Sequence, residues 1–67
     1  MYVTYAKYSH VVGTETYEHE VVWCGIHRQW TIEEAQEHLA QTFDIPTHTV
    51  KVHRVRTLPT DGDVYFL

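Results

Sequence analysis

The sequence predicts a small α+β fold: an antiparallel sheet of β-β-α-β order, with one helix packed on one face and residues to spare for a fourth short strand. Three observations predict it. Two stretches rich in β-branched and aromatic residues flank Gly13, a capping box opens an amphipathic segment at Thr31, and alternating valines follow Pro46. At 67 residues the chain is expected to form a single domain, 1–67, because so short a chain builds one modest core.

The first strand is expected over Tyr2 to Val12, with Val3, Tyr5 and Val11 on one parity and Tyr2, Ala6, Tyr8 and Val12 on the other. Gly13-Thr14-Glu15 supplies a turn, and Thr16 to Ile26 resumes strand composition, so the pair forms an antiparallel hairpin. On the second strand Tyr17, His19, Val21 and Trp23 share a face opposite Glu18, Glu20, Val22 and Cys24. The Glu18 and Glu20 end is expected to meet solvent, and Gly25 marks a bulge or an exit.

Thr31 is the N-cap of a helix: Glu34 three residues on completes a capping box, and Trp30 is placed to staple against Ala35. Ile32, Ala35, Leu39, Ala40 and Phe43 form a stripe at helical spacing that should pack on the hairpin, while Glu33, Glu34, Glu37, His38 and Gln41 lie off it. Pro46 disfavours helical geometry at Ile45, so the helix ends near Phe43 or Asp44. In the returning strand Val50 and Val52 alternate, but Val55 breaks their parity, which predicts a bulge near His53-Arg54 or a shift of the buried face. Pro59 and Asp61-Gly62 make a turn, and Val64 to Leu67 reads as an edge strand or a tail.

Composition narrows the function. Net charge is −4, with only Lys7, Arg28, Lys51, Arg54 and Arg56 basic, which argues against direct nucleic-acid binding. Glu15, Glu18, Glu20, Glu33, Glu34, Glu37 and Asp44 all precede Pro46, whereas beyond it Lys51, Arg54 and Arg56 face only Asp61 and Asp63. Such asymmetry can steer association with an oppositely patterned protein. The lone Cys24 rules out an intrachain disulfide and suits a reducing cytoplasm. No apolar run has signal or bilayer length, so a soluble, untargeted protein with no membrane partner is expected.

Among His10, His19, His27, His38, His48 and His53 no pair has helical i, i+4 spacing, and no metal site is expected, with cross-strand convergence of His10, His19 and Cys24 left open. Their protonation below neutral pH would erase much of the negative charge and make binding pH-sensitive. No catalytic residues or cofactors are expected. Cys24 and His27 lack an orienting group, Gly13, Gly25 and Gly62 are isolated, and Glu33 with Glu37 is an ordinary acidic helix face. A protein-binding surface is expected instead, with Tyr8 and Trp30 as aromatic anchors, Arg54, Arg56 and Lys51 as cationic contacts, and Glu33, Glu34 and Glu37 as acidic ones.

The run Thr31-Ile32-Glu33-Glu34-Ala35, a helix, a proline-containing loop and then Val52-His53-Arg54-Val55-Arg56 resembles the small coliphage proteins that inhibit host bacterial RNA polymerase. The resemblance covers roughly the second half of the chain. It implies a hairpin, one helix and a returning strand. An arginine pair, matched by Arg54 and Arg56, and an acidic strip, with Glu33 and Glu34 matching the acidic start of the helix, would both engage the polymerase β′ jaw near the DNA channel. The implied function is a phage-type inhibitor acting in the host bacterial cytoplasm through protein contact. Two alternatives stand beside it: an anti-CRISPR or other anti-defence inhibitor using the carboxylates as a partial DNA mimic against a CRISPR effector, and a self-associating domain that dimerises through its open sheet face.

Overall fold

A computed structural model of the chain describes residues 1–60, which form a three-stranded antiparallel sheet with one helix on it. The order is β1 (Tyr2–Val12), β2 (Glu15–Gly25), α1 (Ile32–Phe43), a short 3-10 turn (Thr47–Thr49) and β3 (Val50–Pro59). Across the sheet the strands run β2-β1-β3, so β1 is central and both later strands are edges. The expected strand or tail at Val64 to Leu67 lies outside the described residues.

The hairpin register is continuous from Val12 opposite Glu15 to Tyr2 opposite Gly25. Its turn is the two residues Gly13 and Thr14, with Gly13 alone at positive φ, 63°. A positive φ at the first central position is the type II′ geometry whose twist matches paired strands, and glycine adopts it without strain. Glu15, read above as part of the turn, is the first residue of β2.

Between β1 and β3 the register shifts once: Tyr8 faces Val52 and Lys7 faces Arg54, leaving His53 as the extra residue of a bulge. This is the device that the valine spacing demanded. It lets Val50, Val52 and Val55 all turn toward the helix despite their mixed parity.

Thr31 accepts the Glu34 N–H on its hydroxyl at 3.1 Å while the Glu34 carboxylate accepts the Thr31 N–H at 3.0 Å, the reciprocal capping box. Asp44 ends the helix in left-handed geometry, φ 54° and ψ 51°, and Ile45 donates back to the Ala40 carbonyl at 3.0 Å. Pro46 then starts the 3-10 turn that feeds β3.

Ala35 and Leu39 pack with Tyr8, Val50 and Val52 as the core, flanked by Val21, Trp23, Ile45 and Val55. Burying Leu39, 1% exposed, contributes about 2–3 kcal/mol. The helix packs chiefly over β3, not over the hairpin as expected from its stripe. Consequently Ile32 and Phe43, at the ends of that stripe, each remain 46% exposed. Phe43 instead stacks over Tyr8, centroids 6.3 Å apart. Thr4 is buried on this face as well, and its hydroxyl meets that of Thr57 at 3.1 Å.

Trp30 fills the gap between β2 and the helix. Its ring meets Trp23 edge-on at 5.4 Å and lies 4.8 Å from His27 and 5.0 Å from His38. No described helix is long and apolar enough to cross a membrane.

Candidate functional site: the open face of the sheet

Partners in an antiparallel ladder share a face. The side of the sheet away from the helix therefore carries Val3, Tyr5, Lys7 and Ser9 from β1, Glu18, Glu20, Val22 and Cys24 from β2, and Lys51, His53, Arg54, Arg56 and Leu58 from β3. Nothing among the described residues covers it.

Four of the chain's five basic residues project from this face: Lys7, Lys51, Arg54 and Arg56. Lys7 and Arg54 face one another directly across the ladder. Like charges so placed repel, and the sheet tolerates them at a cost of about 0.2–1 kcal/mol. Among the described residues no carboxylate closes an ion pair with either guanidinium. Glu20 lies opposite Lys7 on the other flank and Glu18 opposite Ser9, so β2 gives the face an acidic margin.

Tyr5, Lys7, Glu18, His53 and Arg54 line a shallow depression of about 410 Å³ in the middle of the face. The bulge makes it, because two residues of β3 crowd onto the face where one would normally project. His53 Nε2 is hydrogen-bonded to Ser9 Oγ at 2.5 Å. With Ser9 only 6% exposed, the pair fastens the bulge to β1 rather than presenting a nucleophile to a substrate. Partial burial first, then the Glu20 carboxylate, hold the Tyr5 phenol above its ordinary range. It remains a neutral donor at the rim of the depression.

Away from the charges the same face turns apolar. Val22 and Leu58 are 45% and 48% exposed and Cys24 is exposed, alongside half-buried Val3 and Tyr5. A partly apolar, partly ionic surface of this kind suits protein contact, in which apolar area contributes affinity and charge contributes steering and register.

The expected site residues fall into three places. Arg54, Arg56 and Lys51 share the open face. Glu33, Glu34 and Glu37 sit on the helix, on the other side of the sheet, so no flat partner surface touches both groups at once. Glu34, Glu37, Trp30, His27, His38 and Gln41 line a separate depression of about 240 Å³ there. The Thr31 backbone N–H, then its hydroxyl, hold the Glu34 carboxyl below its usual range, with His27 adding to the effect. Tyr8, expected as a surface anchor, is 7% exposed and belongs to the core, since its parity places it under Phe43.

Lys7, Tyr5, Glu18, Glu20 and His53 complete the face; none of them is among the expected site residues, although the Glu18 and Glu20 end was expected to meet solvent. Their shared parity in the hairpin was a usable signal, but only the β1–β3 register shows that Lys7 joins the arginines. His10 and His19 lie on the helix side and Cys24 on the open side, so those three do not converge. Among the described residues no group of three or more His, Cys, Asp or Glu side chains is arranged to hold a metal ion. Compared with known proteins, the chain matches no family model, no curated protein and no solved structure.

Proposed function

We propose that this chain is a small non-catalytic inhibitor of the phage type. It acts in the host bacterial cytoplasm, where its open sheet face docks onto an acidic surface of a host enzyme and blocks it by protein contact. One observation carries the reading: four cationic side chains with no ion-pair partner among the described residues are gathered, two of them facing each other, on the one sheet face that the helix leaves bare. Charge held together at a cost to folding is the mark of a surface kept for something else. Arg54 and Arg56 are the anchors, forming charge-assisted bonds to partner carboxylates. Lys7 and Lys51 steer the encounter, and Val22 and Leu58 supply apolar area. RNA polymerase is the target that the resemblance of the second half names. The acids, divided between the helix and β2 on opposite sides of the sheet, weigh against the DNA-mimic alternative.

The test is binding and inhibition of purified bacterial RNA polymerase by the intact chain and by two double variants. Replacing Arg54 and Arg56 together with alanine is expected to weaken binding by about thirtyfold or more. Replacing Glu33 and Glu37 together with lysine is expected to leave it within about threefold. The opposite ranking, in variants that retain the wild-type circular dichroism spectrum, overturns the open-face reading. No effect of the intact chain on polymerase overturns the choice of target.

A further inference from the structure

We propose that the outer edge of β2 is a second docking site, which takes an extended lysine- or arginine-bearing strand of a partner protein as a fourth strand of the sheet. The inference concerns the backbone edge of β2 rather than the flat of the open face, with which it shares Glu18, Glu20 and Val22, and it does not depend on which enzyme that face engages.

The argument starts from where the backbone N–H groups of the two edges go. Val12 faces Glu15 across the two-residue turn, so the hydrogen-bonded pairs of the hairpin are those in phase with it: His10 with Tyr17, Tyr8 with His19, Ala6 with Val21 and Thr4 with Trp23. The amides of Thr16, Glu18, Glu20, Val22 and Cys24 therefore point away from β1. No register shift interrupts this edge anywhere between Glu15 and Gly25. A long, regular, unpaired edge is a ready template for another strand.

The other edge of the sheet is treated differently. On β3 the Val50 N–H is taken by the Thr47 carbonyl and the Val52 N–H by the Gln36 side chain at 3.0 Å. The bulge at His53 follows, and Pro59, in phase with the outward amides, has none to offer. Only Val55 and Thr57 remain. Among the described residues, one edge of the sheet is thus largely closed by several independent devices while its counterpart is left continuous.

Charge selects the occupant. Glu18 and Glu20 alternate along the β2 edge beside Glu15 at its start, and Val22 with Cys24 continues the same row as exposed apolar positions. An incoming strand therefore gains most with cationic side chains opposite the two glutamates and an apolar one opposite Val22. A shallow depression of about 260 Å³ lined by Lys7, Glu18, His19 and Glu20 offers room beside these positions. A second copy of this chain is the poorer fit, because the matching row of β2, Thr16, Glu18, Glu20, Val22 and Cys24, brings no cation to either glutamate in any register.

The probe is a fluorescently labelled peptide of about six residues, Val-Thr-Lys-Thr-Lys-Thr, whose antiparallel pairing sets valine opposite Val22 and the lysines opposite Glu20 and Glu18. It is titrated into the intact protein and followed by anisotropy, with a peptide carrying glutamate in place of both lysines as the control. The lysine peptide is expected to bind and the glutamate peptide not. Val22→Pro removes one outward amide while leaving the bonds to β1, a placement that edge strands tolerate, and is expected to weaken binding about tenfold or more. Val22→Thr keeps the outward amide and is expected to weaken binding less than Val22→Pro does. In hydrogen exchange of the unmutated protein, the amides of Glu18, Glu20 and Val22 are expected to slow when the peptide is bound, a reading independent of how any variant folds. Equal binding of both peptides, unchanged exchange at those amides, or full binding by a folded Val22→Pro variant overturns the proposal. A wild-type dimer in light scattering that Val22→Pro dissociates overturns the choice of occupant in favour of a second copy.

Discussion

The side-chain oxygen of Gln36 accepts the backbone N–H of Val52 at 3.0 Å, so a residue of the helix closes the edge of the strand beneath it. The bond does two things at once. It satisfies a part-buried amide that has no strand neighbour, and it fixes the helix along β3 instead of over the middle of the sheet.

Gln36→Leu, which leaves that amide without a partner, is expected to lower folding stability by about 1–3 kcal/mol. Gln36→Glu keeps an acceptor oxygen in place and is expected to lose less. Urea denaturation followed by circular dichroism reads both, and equal midpoints for wild type and Gln36→Leu would show the bond to be idle.

Arg54 faces Lys7 across the β1–β3 ladder beside the bulge. Arg54→Thr puts a β-branched residue there and removes the repulsion, so stability is expected to rise by about 0.2–1 kcal/mol. Binding to the acidic partner is expected to fall at the same time. A variant that is both less stable and a weaker binder would mean that Arg54 serves the fold and not the contact.

The hydrogen bonds that Thr31 offers, backbone N–H first, hold the Glu34 carboxyl below its ordinary 4.5. A depressed folded-state value means that the ionised form belongs to the native helix start. Its contribution is fully present above the unfolded value and is lost as pH falls through the folded one. Thermal midpoints are therefore expected to drop as pH is lowered past about 4.5, and Glu34→Gln, which retains a capping box without a titrating group, is expected to drop less. Parallel curves for the two proteins between about pH 6 and about pH 3 would contradict the assignment.

Asp44 ends α1 in left-handed geometry with its negative charge at the negative end of the helix. Both features are unfavourable for this residue type. Asp44→Gly is expected to raise stability by about 1 kcal/mol, visible as a higher thermal midpoint.

Much of the architecture could be read directly from the order of residues. The capping box at Thr31, the stop at Pro46, the extent of β1 and the bulge beside His53 all follow from chemistry among residues a few positions apart, and each is found where expected. The site was legible in part. Arg54 and Arg56 share one surface because they are two positions apart in a strand, whereas Lys51, of opposite parity, joins them only through the bulge at His53. Tyr8 was misplaced because the alternation in β1 shows two faces without showing which of them the helix will cover. Glu33, Glu34 and Glu37 are grouped with the arginines as expected contacts, the first two through the resemblance, and the sheet stands between the two sets.

By itself, then, the sequence determined the extent of β1, the start and stop of the helix and where β3 must kink, because periodicity, capping and turn chemistry act over one or two turns of chain. In the structure β2 begins one residue earlier than expected and β3 runs on through Pro59. Only the tertiary structure decided that β1 is central, that the helix lies over β3, that Lys7 joins Arg54 across the ladder, and that one sheet edge is closed while the other is open. Those outcomes depend on pairings between residues tens of positions apart. The many long-range contacts that select one register and one covered face leave no short-range pattern to read.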